Sequence, residues 1–313
     1  MKRILAIIMA LVLVFSLAAC GPSLTEKPSS EGDNNLAEVS NDSEENKPAE
    51  SEVKDPEPKS DEITFEELVV VDNDECTIKI TKIDPDNMWG YTLKVYLENK
   101  SADKTYMFSV QSGAVNGVEC DPFFATEVAP GKKSNNDISF TDATLKDNGI
   151  KEFTDIEMTF KVYDSNDWMA DPVALETVHV YPFGEEKATT FVRESQSTDT
   201  VLFDDENVSV IVIGYANDSI WGYTVNLYLE NKTDKTLMYS VDEASVNGYM
   251  ADPFWAKELQ PGKMAFTSMS WSDTAFEEND ITEVEEIEMI FNVYDQNDWM
   301  ADRLIEETVT LKP

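Results

Sequence analysis

The sequence predicts an all-β protein: two tandem antiparallel β-sandwich domains that follow a signal peptide and a disordered tether. Three observations lead to this prediction. Long segments of the chain occur twice, apolar residues within each copy recur at every second position, and the first 61 residues have the composition of an export signal and a linker. The repeat sets the domain boundaries.

The two copies lie 131 or 132 residues apart. The run WGYTLKVYLENK, which begins at Trp89, returns as WGYTVNLYLENK at Trp221, and the run VYDSNDWMAD at Val162 returns at Val293 with one difference. Each copy spans about 115 residues, which is the usual size of one domain. We therefore predict a first repeat at 62–182 and a second repeat at 200–313, joined by a polar linker at 183–199.

Within each copy the apolar period is two, which is typical of strands with one buried and one solvated face. Asn-Gly and Pro-Gly pairs supply turns between the strands. We expect about seven strands per copy, as in a two-sheet sandwich, and one short helix near Thr144–Asn148 and near Thr274–Asn279. The residues predicted to face inward are Ile78, Ile80, Tyr91, Leu93, Val95, Leu97, Ile156, Met158, Phe160 and Val162 in the first copy and Tyr223, Val225, Leu227, Leu229, Ile287, Met289, Phe291 and Val293 in the second.

The chain begins with the basic residues Lys2 and Arg3, followed by an apolar run too short to span a membrane. The run ends in LAAC at Cys20, which resembles the lipobox of bacterial lipoproteins at every position. The resemblance implies that residues 1–20 are a signal peptide, that the Cys20 sulfur is lipidated, and that the protein is anchored on the outer face of the cell membrane. The alternative is an ordinary secretory signal with an incidental cysteine.

Residues 21–61 are rich in Ser, Glu, Asn, Pro and Lys and contain no aromatic residue. Such a segment cannot bury enough apolar surface to offset its chain entropy, so we predict a disordered acidic tether. A flexible chain of this length has an end-to-end distance of roughly 35 Å.

The charge balance restricts the partners. The formal net charge is −38, and removal of the signal makes the chain more acidic still. A polyanion is repelled by nucleic acid and by anionic lipid headgroups, so neither is expected to bind. The predicted membrane contact is through the N-terminal lipid alone, and the folded part is expected to be a monomer.

One further pattern is GYT-x-x-x-YLENK followed by DKT, which occurs in both copies. It resembles the immunoglobulin-like domains of uncharacterised Gram-positive surface lipoproteins, over about three quarters of the chain. The resemblance implies immunoglobulin-like sandwiches that serve as extracellular interaction or stress-related modules. It carries no catalytic residues.

Two cysteines remain besides Cys20. Cys76 and Cys120 both lie in the first repeat, and in an oxidising compartment the two could form a disulfide. The alternative is that each is a small buried apolar residue. The second repeat has Val208 and Ala251 at the matching positions, which is compatible with either interpretation.

The sequence favours no enzymatic activity. His179 is the single histidine, so serine triads, cysteine–histidine dyads and histidine-based zinc sites lack their imidazoles. No glycine-rich phosphate loop is present, and acidic residues are too numerous for any pair to stand out as a glycosidase site. We therefore predict neither catalysis nor a cofactor.

An acidic loop after one strand of each copy is a weak candidate for calcium, which prefers six to eight oxygen ligands. Its spacing matches no EF-hand. The alternative is a turn in which Asp and Asn bond their own backbone while a tryptophan covers the end of the core. The candidate ligands are Asp164, Asn166, Asp167 and Asp171, with Asp295, Asn297, Asp298 and Asp302 in the second copy; the tryptophans are Trp168 and Trp299.

Aromatic residues near predicted loops are candidates for ligand contact. Exposed aromatic side chains bind partner pockets or sugar rings, whereas buried ones only fill the core, and recurrence in both copies fits either role. Of these residues we expect Phe124 and Trp255 to be the most exposed. The candidate ligand-binding residues are Phe124, Trp255, Trp168 and Trp299.

The function that the sequence favours is a non-catalytic cell-envelope lipoprotein whose duplicated domains bind a protein or glycan ligand. The alternatives are a structural spacer without a specific ligand and a calcium-dependent surface sensor. A contiguous exposed aromatic patch would favour binding over the spacer.

Overall fold

The structure, a computed structural model, describes residues 62–120, 122–298 and 300–313. The predicted signal peptide, the lipidation site Cys20 and the predicted tether lie outside the described residues, as do Asp121 and Trp299. The described part is all-β, as predicted, with two short α-helices. None of its helices has the length and apolar character needed to cross a membrane.

Each repeat contributes nine strands and one helix in the same order. The first repeat contains β1 (Leu68–Asp72), β2 (Cys76–Asp84), β3 (Tyr91–Asn99), β4 (Tyr106–Val115), β5 (Val118–Glu119), β6 (Ala125–Val128), β7 (Lys133–Phe140), α1 (Asp142–Asp147), β8 (Ile156–Asp164) and β9 (Ala174–Val180). The second contains β10 (Thr200–Asp204), β11 (Val208–Ser219), β12 (Gly222–Asn231), β13 (Leu237–Val246), β14 (Tyr249–Met250), β15 (Ala256–Leu259), β16 (Met264–Trp271), α2 (Asp273–Glu277), β17 (Ile287–Asp295) and β18 (Ile305–Leu311).

The predicted helices are confirmed within two residues. The prediction of seven strands was too low, because the chain forms two further short strands after β4 and again after β13. β5 and β6 both pair with β4, at its end and its beginning, and β14 and β15 pair with β13 in the same way.

Two sheets are formed by each repeat. In the first repeat, β1-β2-β3-β7 form one sheet, and β4, β5, β6, β8 and β9 belong to the other. The second repeat has the equivalent sheets, β10-β11-β12-β16 and a sheet of β13, β14, β15, β17 and β18. Among the described strands all pairings are antiparallel except one, the parallel contact of β16 with β5, which joins the two repeats in a nine-stranded sheet.

The core includes the residues that the two-residue period predicted. All of the inward-facing residues predicted in both repeats are buried. They belong to two separate clusters, one per repeat, and each cluster takes residues from both sheets of its repeat. The first cluster also includes Tyr228 and Met264 of the second repeat, which shows that the repeats are packed against each other.

Some residues on the predicted outward faces are buried as well. Thr92 is covered because its hydroxyl bonds the Gly90 carbonyl at 2.9 Å and the Ser139 hydroxyl at 2.8 Å. Tyr228 is covered by the first repeat and by the linker. The outward face is therefore solvated only where no other segment packs on it.

The predicted Val-Asn-Gly turns are two-residue hairpin turns. Asn116 and Gly117 have φ angles of 51° and 83°, and Asn247 and Gly248 have 50° and 82°. Two successive residues with positive φ form a type I′ turn, for which Asn-Gly is the preferred pair. The turn reverses the chain from β4 into β5 and from β13 into β14, and in the first repeat it lies at the edge that meets β16 of the second.

Candidate binding surface

The loop before β3 and its counterpart before β12 each expose a tryptophan. Trp89 and Trp221 are both 68 % exposed, and the residues before them, Met88 and Ile220, are also exposed. A glycine follows each tryptophan with positive φ, and a Cβ there would lie 2.1–2.2 Å from a backbone carbonyl oxygen of the neighbouring strand. Only glycine permits this close approach, so the loop is fixed against the sheet while its tryptophan points to solvent.

The Asp-Pro-aromatic segments present the first of their two aromatic residues to solvent. Phe123 is fully exposed and Phe254 is 90 % exposed, whereas Phe124 is 8 % exposed and lies in the first core. The expectation that Phe124 and Trp255 are the most exposed aromatics was therefore wrong. In the first repeat the two neighbouring rings therefore lie on opposite sides of the chain, Phe123 in solvent and Phe124 in the core.

Trp255 is partly buried and packs against the second core through two contacts. Its ring lies 5.7 Å from the ring of Phe291, and its Nε1 donates a hydrogen bond to Thr267 Oγ1 at 3.1 Å. Burial with a satisfied N–H is the usual role of a core tryptophan.

Trp168 is 66 % exposed, and the following Met169 is exposed too. The interpretation that Trp168 covers the end of the core is therefore wrong. Its counterpart Trp299 lies outside the described residues, and the next residue, Met300, is exposed.

The acidic loops that contain these tryptophans form turns. Asp164 Oδ1 accepts a hydrogen bond from the Asn166 backbone N–H at 2.9 Å, and Asp295 Oδ1 accepts one from the Asn297 N–H at 2.9 Å. Lys235 Nζ lies 3.0 Å from Asp295 Oδ2, and its hydrogen bond is the main cause that lowers the pKa of Asp295. These bonds are those of the Asx-turn alternative.

The other acidic candidates do not converge. Asp167, Asp171, Asp298 and Asp302 are exposed. In the part of the chain that the structure describes, no three His, Cys, Asp or Glu side chains are arranged to hold a metal ion. The calcium alternative therefore gains no support from the geometry.

Cys76 and Cys120 are not joined by a disulfide. Cys76 opposes Asn99 in the β2–β3 pair, whereas Cys120 follows β5 and donates its N–H to the Gly113 carbonyl at 3.0 Å. Burial raises the pKa of the Cys76 thiol to about 11. Of the two alternatives the structure matches the one without a disulfide: Cys76 is a buried apolar residue, and Cys120 packs half-buried against the same core.

His179 lies on the outer face of β9 in a cluster of acids. Its Nδ1 is 2.8 Å from Asp155 Oδ1 and its Nε2 is 3.4 Å from Glu157 Oε2, while its ring stacks on Tyr181. Both ring nitrogens face carboxylates, so the imidazole is held between two acidic side chains at the surface.

The junction between the repeats is formed by the hairpin edge of the first repeat and β16 of the second. Met264 N–H donates to the Gly117 carbonyl at 3.0 Å, and the linker residue Phe191 donates its N–H to the Asn116 carbonyl at 2.8 Å. The backbone of one repeat is thus hydrogen-bonded to that of the other and to the linker.

Charged groups flank this backbone contact. Lys257 Nζ lies 2.7 Å from Glu119 Oε2, and Glu119 Oε1 accepts a hydrogen bond from the Gln260 N–H at 2.8 Å. Lys263 Nζ lies 2.6 Å from Glu157 Oε2. Only 7 % of the Glu119 side chain is exposed, so its pair with Lys257 is largely desolvated.

Aromatic residues fill the junction beside the linker. The ring of Phe266 lies 5.3 Å from that of Tyr228 and 5.9 Å from that of Phe191. Arg193 places its guanidinium over the Tyr228 ring and makes a bidentate ion pair with Asp199 at 2.6 and 2.7 Å. The linker predicted at 183–199 therefore packs against the second repeat.

One difference between the two copies in the sequence marks this junction. Strand β16 carries Met264 and Phe266 where β7 of the first repeat carries Lys133 and Asn135. An outward face that is polar in one copy and apolar in the other indicates that only the second copy is covered there.

Comparisons with known proteins give little guidance. No protein-family model matches the sequence, and no curated protein matches it. Among solved structures, the exo-chitosanase CsxA of Amycolatopsis orientalis is similar at 11 % identity over 74 % of this chain and 26 % of that chain, with a TM-score of 0.21. The chain spans about a quarter of that enzyme's length, and a TM-score this low carries no argument about fold or activity.

Proposed function

We propose that this chain is a lipid-anchored, extracytoplasmic protein without catalytic activity that binds a protein or glycan ligand through its exposed aromatic loops. The observation that carries the proposal is the recurrence of one exposed tryptophan, at the same place and to the same extent, in both repeats. Trp89 and Trp221 belong to neither core cluster. Their recurrence is therefore not accounted for by core packing.

The energetics favour a ligand at these loops. Covering about 200 Å² of an aromatic side chain stabilises a complex by on the order of 5 kcal/mol before the costs of association. Two equivalent tryptophans on one chain would also raise the avidity for a repeated ligand. A spacer without a ligand gains nothing from either residue.

The neighbours of the tryptophans favour a protein over a glycan. Met88 and Ile220 precede them and are exposed as well. A sugar ring stacks on an aromatic face and needs polar groups around it, whereas an apolar residue beside a tryptophan fits a protein pocket. The acidic chain would suit a neutral or basic partner surface.

We also propose that the repeats are two tandem immunoglobulin-like β-sandwich domains. The support is that each repeat has two sheets and a buried cluster of its own. The sequence resemblance to immunoglobulin-like domains points the same way.

The lipid anchor at Cys20 rests on the lipobox resemblance and is tested separately. One acyl chain holds a protein weakly and two or three hold it firmly, since each buried CH₂ contributes about 0.8 kcal/mol. We expect Cys20→Ala to release the protein into the medium. If the variant stays in the membrane fraction, the lipid anchor is contradicted. The binding proposal is not affected by that result.

Binding is tested with the mature chain carrying Cys20→Ser, labelled and applied to a glycan array and to a cell-surface pull-down. We expect one ligand class to bind, and the double variant Trp89→Ala, Trp221→Ala to bind at least ten-fold more weakly. Val69→Ala with Val201→Ala is the matched control, because these apolar residues are also exposed in both repeats. Absence of binding in both assays, or equal losses in the two double variants, would refute the proposal.

A further inference from the structure

We propose that strand β14 of the second repeat docks an edge strand of a separate β-sheet protein, one that presents apolar side chains and a basic residue as β16 does. The inference goes beyond the proposed function, because it concerns a different surface and does not involve Trp89 or Trp221. It rests on a comparison of β14 with β5, its equivalent in the first repeat.

The edge at β5 is occupied within the chain itself. Val118 is 1 % exposed: it belongs to the first core, and β16 lies beside it, paired through Met264. A Cβ added at Gly117 would lie 3.1 Å from Met264 Cε, so the packing at the turn is close. This edge therefore has a known kind of occupant: a strand with outward apolar residues.

The edge at β14 is formed by the same type of Asn-Gly turn and two-residue strand as the edge at β5, but it is uncovered. Among the described strands β14 ends its sheet, with β13 on one side and no strand on the other. Tyr249 and Met250 are 51 % and 67 % exposed. A Cβ at Gly248, the counterpart of Gly117, would meet nothing within 4 Å.

The substitutions between the two edges define the chemistry of the occupant. Tyr249 and Met250 stand where Val118 and Glu119 stand, so the free edge is larger and more apolar than the occupied one. Because Met250 has no carboxylate, a strand that pairs with β14 does not need a cation or an N–H at that position, as Glu119 does. It would bury apolar side chains there instead.

One acidic residue is retained beside the edge. Glu288 opposes Ser245 across β13 and β17, and Ser245 opposes Met250, so the three side chains share one face. Glu157, the counterpart of Glu288, binds Lys263 in the first repeat. We therefore expect the occupant to carry a basic residue next to its outward apolar residues, as β16 has Lys263 before Met264 and Phe266.

A second copy of this chain does not offer that face. The counterpart of β16 in the first repeat is β7, which carries Lys133 and Asn135 instead of Met264 and Phe266. Lys133 Nζ already lies 3.4 Å from Glu98 Oε1 and over the Tyr96 ring. Docking β7 on Met250 would desolvate this ion pair without compensation. Strand β7 of a second copy is therefore excluded, and the occupant that we propose is a different protein.

Two peptides of this chain supply a matched probe. Residues 262–271, GKMAFTSMSW, are the turn and strand of β16, and residues 131–140, GKKSNNDISF, are the polar equivalent. With the mature chain carrying Cys20→Ser, we expect saturable binding of the 262–271 peptide only. Hydrogen exchange should slow at residues 247–251 when it binds.

The variant Tyr249→Glu, Met250→Glu should bind the peptide at least ten-fold more weakly, whereas Val201→Glu, also at an exposed apolar site, should bind it normally. Trp89→Ala with Trp221→Ala should leave peptide binding unchanged, which separates this inference from the proposed function. Equal binding of both peptides, or equal binding by the two glutamate variants, would overturn the proposal. Concentration-dependent self-association of the full chain that Tyr249→Glu abolishes would also overturn it in favour of a second copy.

Discussion

Lys263 of the second repeat and Glu157 of the first are joined by an ion pair of 2.6 Å between Nζ and Oε2. Glu157 also faces His179, so one carboxylate links the outer face of the first repeat to the turn before β16. Together with the Glu119–Lys257 pair, this contact holds the two repeats against each other at the junction. The repeats are expected to unfold together while these contacts are intact.

Removal of Glu119 tests that coupling. Glu119→Ala leaves Lys257 and the Gln260 N–H without their acceptor in a largely desolvated place. We expect a loss of about 2 kcal/mol, below the 3–5 kcal/mol of a fully buried pair because Lys257 is partly exposed. Calorimetry should show one unfolding transition for the wild type and two for the variant.

The control is Glu67→Ala, which removes the partner of Lys79 in an exposed ion pair. Such pairs contribute at most about 1 kcal/mol, so its unfolding profile should resemble that of the wild type. A single transition for Glu119→Ala at an unchanged Tm would show that the junction does not couple the repeats.

The neighbours Phe123 and Phe124 should respond in opposite ways to the same substitution. Phe124→Ala opens a cavity in the first core and should lower the free energy of unfolding by about 3–5 kcal/mol, whereas Phe123→Ala removes a fully exposed ring and should change it by less than about 0.5 kcal/mol. Urea unfolding measures both. A larger loss for Phe123→Ala than for Phe124→Ala would reverse the assignment of the two rings.

The all-β fold was predictable because it rests on local rules. The inward sets of β3, β8 and their counterparts repeat every two residues, and register with one buried face follows from that period. The turns were predictable for the same reason, since Asn-Gly at 116–117 needs no distant contact to adopt positive φ. The acidic loops likewise form the Asx turns that Asp164 and Asp295 favour by themselves.

The surface was harder to predict, because recurrence does not distinguish a buried aromatic from an exposed one. Phe124 and Trp255 recur in the core, and Trp89 and Trp221 recur in solvent. The side on which a loop residue lies depends on backbone contacts such as that of Gly90 with Phe140, which the pattern of residue types does not contain. Comparing the copies with each other, as at Met264 and Lys133, is the signal that would have located the junction.

Cys76 should be inert in the folded protein. Burial raises the pKa of its thiol to about 11, so the thiolate that reacts with alkylating agents is scarce at pH 8. Iodoacetamide should therefore leave Cys76 unmodified in the native state and modify both Cys76 and Cys120 after denaturation without reductant, as read by mass spectrometry. Failure of either cysteine to react in the denatured, unreduced chain would restore the disulfide.

Replacement of Cys76 by valine tests its role as a core residue. The second repeat has Val208 at the matching, equally buried position. We expect Cys76→Val to change the free energy of unfolding by less than about 1.5 kcal/mol, because valine is only slightly larger and is already accommodated at the matching position. Cys76→Ser places a hydroxyl in the same apolar site and should destabilise the protein more.

The pair of Arg193 with Asp199 should make the linker sensitive to acid. The bidentate hydrogen bond from Arg193 is the main cause that lowers the pKa of Asp199 below its ordinary value near 3.8. A carboxyl group whose pKa is lower in the folded than in the unfolded state adds stability above the unfolded pKa and loses it as the pH falls through the folded pKa. The contribution of Asp199 to stability is therefore complete at pH 6 and declines below about pH 4.

Asp199→Asn should lower the Tm at pH 6, and the difference from wild type should shrink between pH 4 and the acid limit of folding. Arg193→Ala should reproduce this pH dependence, because it removes the cation that lowers the pKa. A Tm difference between wild type and Asp199→Asn that stays constant from pH 6 to pH 2.5 would contradict the assignment of the effect to this ion pair.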